Sequence, residues 1–194
     1  MDVRTKETLK FIFNIIFALY NFVLGSASQS WWFVSAGAYY AVLSVVRIAI
    51  LAFSKNNKEH AGFITKFTGI FILLLSFILS GIVYMTVNNA VAVKYPEIAM
   101  ITIALYAFVK VTVAIMGYVK SGNDKSGALR ALRSIALADA VASIYSLQRS
   151  MLVSFGEMAT KDIMLFNILS GIGMCIITAV TGISLLKRKD VKNG

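Results

Sequence analysis

Residues 63–86, FITKFTGIFILLLSFILSGIVYMT, decide how this chain folds. Lys66 is their only charged residue, and it lies near the start of the run. An apolar stretch of ~20 residues at a helical rise of 1.5 Å crosses the ~30 Å hydrocarbon layer of a bilayer. Reading outward in both directions, the same pattern recurs. Before it come 9–24 (LKFIFNIIFALYNFVL) and 31–53 (WWFVSAGAYYAVLSVVRIAILAF), and after it runs near 97–118, 130–151 and 163–186. The fifth is the weakest by hydropathy, because it carries Arg130, Arg133, Asp139 and Arg149. The connecting segments, GSASQS, SKNNKEHAG, VNNAVAVKYPE, KSGNDKSGA and SFGEMATKD, are too short for a separate domain. Of the 194 residues 58% are hydrophobic and only 14% charged, against about 25% charged in soluble domains. A soluble enzyme, a disordered tail and a disulfide-framed secreted domain are excluded. The expected fold is an all-α membrane protein, one domain of six transmembrane helices.

The first run has features of a signal peptide, a basic start and the small residues Ser26-Ala27-Ser28. Asn14, Tyr20 and Asn21 interrupt its apolar stretch, so the expectation is a retained helix.

A net charge of +10 would suggest nucleic acid in a soluble chain, but no nucleic-acid-binding motif accompanies it. All but four of the 19 Lys and Arg residues lie at the two termini, in the second and fourth connections, or at adjoining span ends. The four exceptions are Lys94, Arg149 and Lys161 on the other side and Lys110 in mid-span. Positive residues stay in the cytoplasm, so both termini are expected there. Trp31 and Trp32 are expected at the outer interface, and the C-terminal KRKDVKNG as an anchor to anionic lipids on the cytoplasmic face.

Three ionisable residues lie well inside the runs: Arg47, Lys110 and Asp139. Ionisable groups in a bilayer are costly and usually face a partner or a polar cavity. Lys110 and Asp139 each fall roughly 12–14 Å from the cytoplasmic end of consecutive spans, and consecutive antiparallel helices are usually neighbours. A buried Lys110–Asp139 ion pair is therefore predicted, with Lys110 snorkelling to the interface as the alternative. If Arg47 points inward as well, two cations face one carboxylate, a surplus that favours an anionic or carbonyl-bearing ligand.

Polar and small residues recur at helical spacing. The rows are Lys10, Asn14, Asn21, Gly25; Tyr40, Ser44, Arg47, Ser54; Thr65, Gly69, Ser76, Ser80; Tyr106, Lys110, Ala114, Gly117; Asp139, Ser143, Ser146, Ser150; and Asn167, Gly171, Thr178, Gly182. Two readings stand. The rows pack helix on helix through small residues and hydroxyls, or they line a solute-sized polar site at Asn14, Arg47, Lys110, Asp139, Ser143 and Asn167.

Catalytic and metal chemistry lack their usual residues. His60 is alone in a loop, Cys175 is the single cysteine, and no paired carboxylates or Ser–His, Cys–His arrangement stands out. No enzyme activity, metal site or cofactor is expected.

The segments NIIFALYNFVLG, SWWFVSAGAYYAVLSVVR and ALRSIALADAVASIYSLQRSMLVSFGE, with the six-span layout, resemble a group of uncharacterised integral membrane proteins of Firmicutes. That resemblance implies the bacterial plasma membrane and this topology. The layout also resembles the transmembrane domain of cation diffusion facilitators, through Gly25 and Ser30 before Trp31 and through KSGAL (125–129) followed by ALADAVASI (136–144). Such membership implies proton-coupled divalent-metal export, usually by a dimer. The family's metal pairs in spans two and five correspond here to Tyr39, Tyr40, Leu43 and Ser44, and to Asp139 flanked by Ile135 and Ser143. Only Asp139 is acidic, so no metal site is carried over. The functional expectation is a transporter-like bundle moving a small solute or a proton, as a homodimer or with a membrane-protein partner. The alternative is a non-transporting scaffold, sensor or accessory subunit.

Overall fold

Nothing interrupts helical geometry within the apolar runs, since the sole proline, Pro96, falls between two of them. The computed structural model describes residues 3–56, 61–88, 97–120, 126–155 and 159–187. They form six helices: α1 (Val3–Ser28), α2 (Trp31–Asn56), α3 (Ala61–Asn88), α4 (Glu97–Lys120), α5 (Gly127–Phe155) and α6 (Thr160–Lys187). Each is longer than its apolar run, because polar residues at the run ends continue the helix. His60, Lys94 and residues 188–194 of the basic C-terminus lie outside the described residues.

The GSASQS segment is largely helical rather than a loop. Gln29 takes a left-handed conformation (φ 49°). The Ser30 N–H then donates back to the Gly25 carbonyl at 3.1 Å, which closes the end of α1. The Ser30 carbonyl in turn accepts the Val34 N–H at 3.3 Å, so Ser30 opens α2. At the start of α5, Ser126 serves as the cap: its hydroxyl accepts the Leu129 N–H at 3.4 Å.

Four helical stretches among the described residues are long and apolar enough to cross a membrane: Glu7–Ala27, Trp31–Phe53, Gly62–Thr86 and Lys161–Lys187. Their outward faces carry exposed Phe13, Phe77 and Leu169, a surface suited to lipid. The chain is thus a membrane protein whose described residues form helices.

Helices α2, α3 and α5 pack on one another at the centre. Their shared core holds Tyr39, Leu43 and Val46 of α2, Ile72 and Leu75 of α3, and Ile135 of α5. Among the described residues α1 packs only on α2, α4 only on α5, and α6 on α3 and α5. The least apolar helix, α5, therefore touches four neighbours and is the hub. Its polar residues face protein, and buried alanines (Ala131, Ala138, Ala140, Ala142) let those neighbours close in.

Contacts across α1–α2, α3–α6 and α4–α5 run antiparallel. The bundle thus has a terminal end, holding the start of α1 and the end of α6, and an opposite end. On the α3–α6 seam a Cβ at Gly69 or Gly182 would sit 3.0 Å from the other's carbonyl oxygen. One at Gly171 would lie 2.5 Å from Val83 Cγ1. The Ser76 hydroxyl donates to the Cys175 carbonyl at 3.0 Å. At the opposite end Trp31 is exposed, whereas Trp32 turns inward and donates from Nε1 to Thr86 Oγ1 at 3.0 Å. The buried Arg149 guanidinium stands 4.3 Å over the Trp32 ring, a cation–π contact.

Candidate functional site

The site is built from four helices. Lys110 projects from α4 toward α5, where its ammonium donates to Asp139 Oδ1 at 2.8 Å and to Ser143 Oγ at 2.7 Å. Ser143 lies one helical turn beyond Asp139 and donates to its carbonyl at 2.8 Å, so its lone pairs face the ammonium. The Asp139 side chain is 5% exposed and that of Lys110 is 22% exposed. The pair read from equal depth is thus a direct contact, and Lys110 does not snorkel to the bundle end. One step deeper in the bundle, the Tyr39 hydroxyl donates to the Ala138 carbonyl at 2.9 Å. This bond ties α2 to α5 at the level of the carboxylate.

Arg47 of α2 reaches the same carboxylate from the other side, with Nη2 3.8 Å from Asp139 Oδ2. Its Nε is 3.6 Å from Oε2 of Glu7 on α1. The Arg47 side chain is wholly buried, and Nε, Nη1 and Nη2 have no hydrogen-bond partner among the described residues. Both separations exceed hydrogen-bonding distance. Glu7 uses its other oxygen, Oε1, to accept from the ammonium of Lys10, whose side chain is 44% exposed. A row of alternating charge thus runs from the terminal end inward: Lys10, Glu7, Arg47, Asp139, Lys110.

Glu7 changes the electrostatics expected from the sequence. The anticipated interior held two cations against one carboxylate. In the structure Arg47 and Lys110 face Glu7 and Asp139, so these four inner groups of the row sum to zero. Glu7 lies just before the first apolar run and is easily read as a tail residue. The signal that finds it is the heptad Glu7, Asn14, Asn21, three polar side chains that are all buried on one face of α1.

The remaining predicted residues divide. Asn14 is buried two turns from Glu7 on that face, and its Nδ2 has no hydrogen-bond partner among the described residues. It shares the α1–α2 interface with Arg47. Asn167 does not join the row. It lies on α6, one turn before Gly171, on the stripe that packs against α3. Helix α6 touches neither α1 nor α4 among the described residues. Most of the α3 and α6 rows of small and hydroxyl residues form a packing seam, and the charged rows of α2, α4 and α5 converge on the site. The described residues contain no group of three or more His, Cys, Asp or Glu able to hold a metal ion.

No protein-family model, curated protein or solved structure matches the sequence. The class of protein is therefore stated from composition and geometry: a membrane protein, helical in its described residues, with a row of alternating charges set largely inside four helices.

Proposed function

We propose that this chain is a six-span, transporter-like protein of the bacterial plasma membrane with both termini in the cytoplasm. It moves a small solute or a proton past Arg47, Asp139 and Lys110. Arg47 carries this reading. A guanidinium offers five N–H donors, and leaving them unmade in the interior is expensive. A solute that brings acceptor oxygens to this point gains all of that unmade bonding. Asp139 is also shared between two cations, Lys110 in contact and Arg47 at a distance. It can change partner without leaving the row, and such exchange lets a site release what it holds.

The test is flux in proteoliposomes. Asp139→Asn should abolish solute or proton movement while the protein still purifies as a folded species. Unchanged flux of every solute tested, protons included, would remove the reading. The alternative, a scaffold, sensor or accessory subunit, is favoured by the closed 2.8 Å Lys110–Asp139 contact, since a compensated pair can simply lock helices. A stoichiometric membrane partner retained through native purification would favour that alternative. Neither reading requires catalytic chemistry.

A further inference from the structure

From the order of charge along the buried row, we infer that its ligand is a small zwitterion, a molecule bearing one ammonium and one carboxylate. The inference rests on reading the row as a solute site. The four inner groups alternate in sign: Glu7, Arg47 and Asp139, all buried, and the half-buried Lys110. The Glu7–Arg47 and Arg47–Asp139 separations are 3.6 Å and 3.8 Å, whereas Asp139 and Lys110 touch at 2.8 Å. The loose part of the row is centred on Arg47, and its unmet bonding has two kinds. Among the described residues Arg47 Nε, Nη1 and Nη2 have no acceptor, and Glu7 Oε2 has no donor. Both side chains are at least nine-tenths buried, at 0% and 9% exposed.

A carboxylate alone would satisfy the guanidinium, but it would stand between two protein carboxylates. An ammonium alone would satisfy Glu7 Oε2, but it would stand beside Arg47. Either ion adds an uncompensated charge to four inner groups that already sum to zero, and three of them are buried, which makes it costly. A molecule with both groups meets both needs and keeps the sum at zero. Its carboxylate accepts from Arg47 and its ammonium donates to Glu7. No bond is made or broken.

The experiment measures binding to the full-length protein in lipid nanodiscs, by calorimetry and by thermal shift. The probes are glycine, β-alanine, acetate and methylammonium. Wild type should bind at least one of the two amino acids about tenfold or more tightly than either simple ion. Glu7→Gln makes the row net positive and should shift its preference toward acetate by about the same factor. Lys110→Met makes it net negative and should shift preference toward methylammonium, which keeps the test decisive if one variant fails to fold. Preference of the wild type for acetate or methylammonium, or a preference unmoved by both substitutions, overturns the zwitterion and leaves the solute-site reading intact. No binding of any probe to any form overturns the zwitterion, and flux of solutes and protons left unchanged by Asp139→Asn overturns the solute site as well.

Discussion

The α3–α6 seam and the α1–α2–α5–α4 row solve one problem in opposite ways. Along the seam the helices close because side chains are nearly absent: Gly69 meets Gly182, and Gly171 meets Val83. Attraction there is dispersion at short range, helped by the hydroxyl bond from Ser76. Along the row the helices are joined through long charged side chains, and much of the contact stays open. A seam of small residues has one good arrangement and resists sliding. A row of alternating charge has several arrangements of similar pairing, because each inner group has an opposite charge on both sides. The seam is built to stay closed, and the row is built so that partners can be exchanged.

The largest test removes the shared carboxylate. Asp139→Ala strips Lys110 of its carboxylate and leaves Arg47 only the Glu7 side of the row. Stripping one partner from a buried pair should cost about 3–5 kcal/mol, seen as a large fall in unfolding temperature in detergent. Next, Gly171→Ala places a methyl group 2.5 Å from Val83 Cγ1. Overpacking of that kind costs about 1–3 kcal/mol. It should lower stability while leaving binding at Arg47 unchanged, which separates the two regions. A smaller effect is expected from Ser76→Ala, about 0.6 kcal/mol, and a loss above 2 kcal/mol would show that the seam depends on hydrogen bonding. The smallest stability change is expected from the double variant Lys110→Met, Asp139→Leu. It replaces the pair with apolar groups of similar size and leaves Glu7 to compensate Arg47, so stability should be close to wild type. Flux should nevertheless vanish. A double variant as unstable as Asp139→Ala would make the row a structural lock.

Much of the helical layout is legible in the sequence, because each run is long, apolar and bounded by polar residues. The Lys110–Asp139 contact is legible too, from equal depth on consecutive helices. Other features depend on which helix faces which, and periodicity within one run does not carry that information. Asn167 has the same kind of polar stripe as Asp139, yet its stripe faces α3 and the seam. Hydropathy ranks the fifth run lowest, and only the packing shows why: α5 is enclosed by four helices and presents little surface to lipid. Trp31 and Trp32 are alike in the sequence, but the Thr86 hydroxyl and the Arg149 guanidinium draw the Trp32 ring inward while Trp31 stays exposed. Glu7 falls outside the apolar run at 9–24, although its carboxylate is what brings the four inner groups to neutrality.

The central place of α5 bears on how the chain enters a bilayer during synthesis. With Arg130, Arg133, Asp139 and Arg149 on one helix, α5 alone is a poor candidate for insertion, since a charged residue at mid-helix costs ~2.5–3.5 kcal/mol on insertion scales. Helix α4 emerges from the ribosome just before it and carries the ammonium that pairs with Asp139. The two helices brought in together as one hairpin bury a neutral pair instead of two separate ions. On the six-span reading, Lys110 then acts as the chaperone of α5, built into the chain one helix ahead of the segment that needs it.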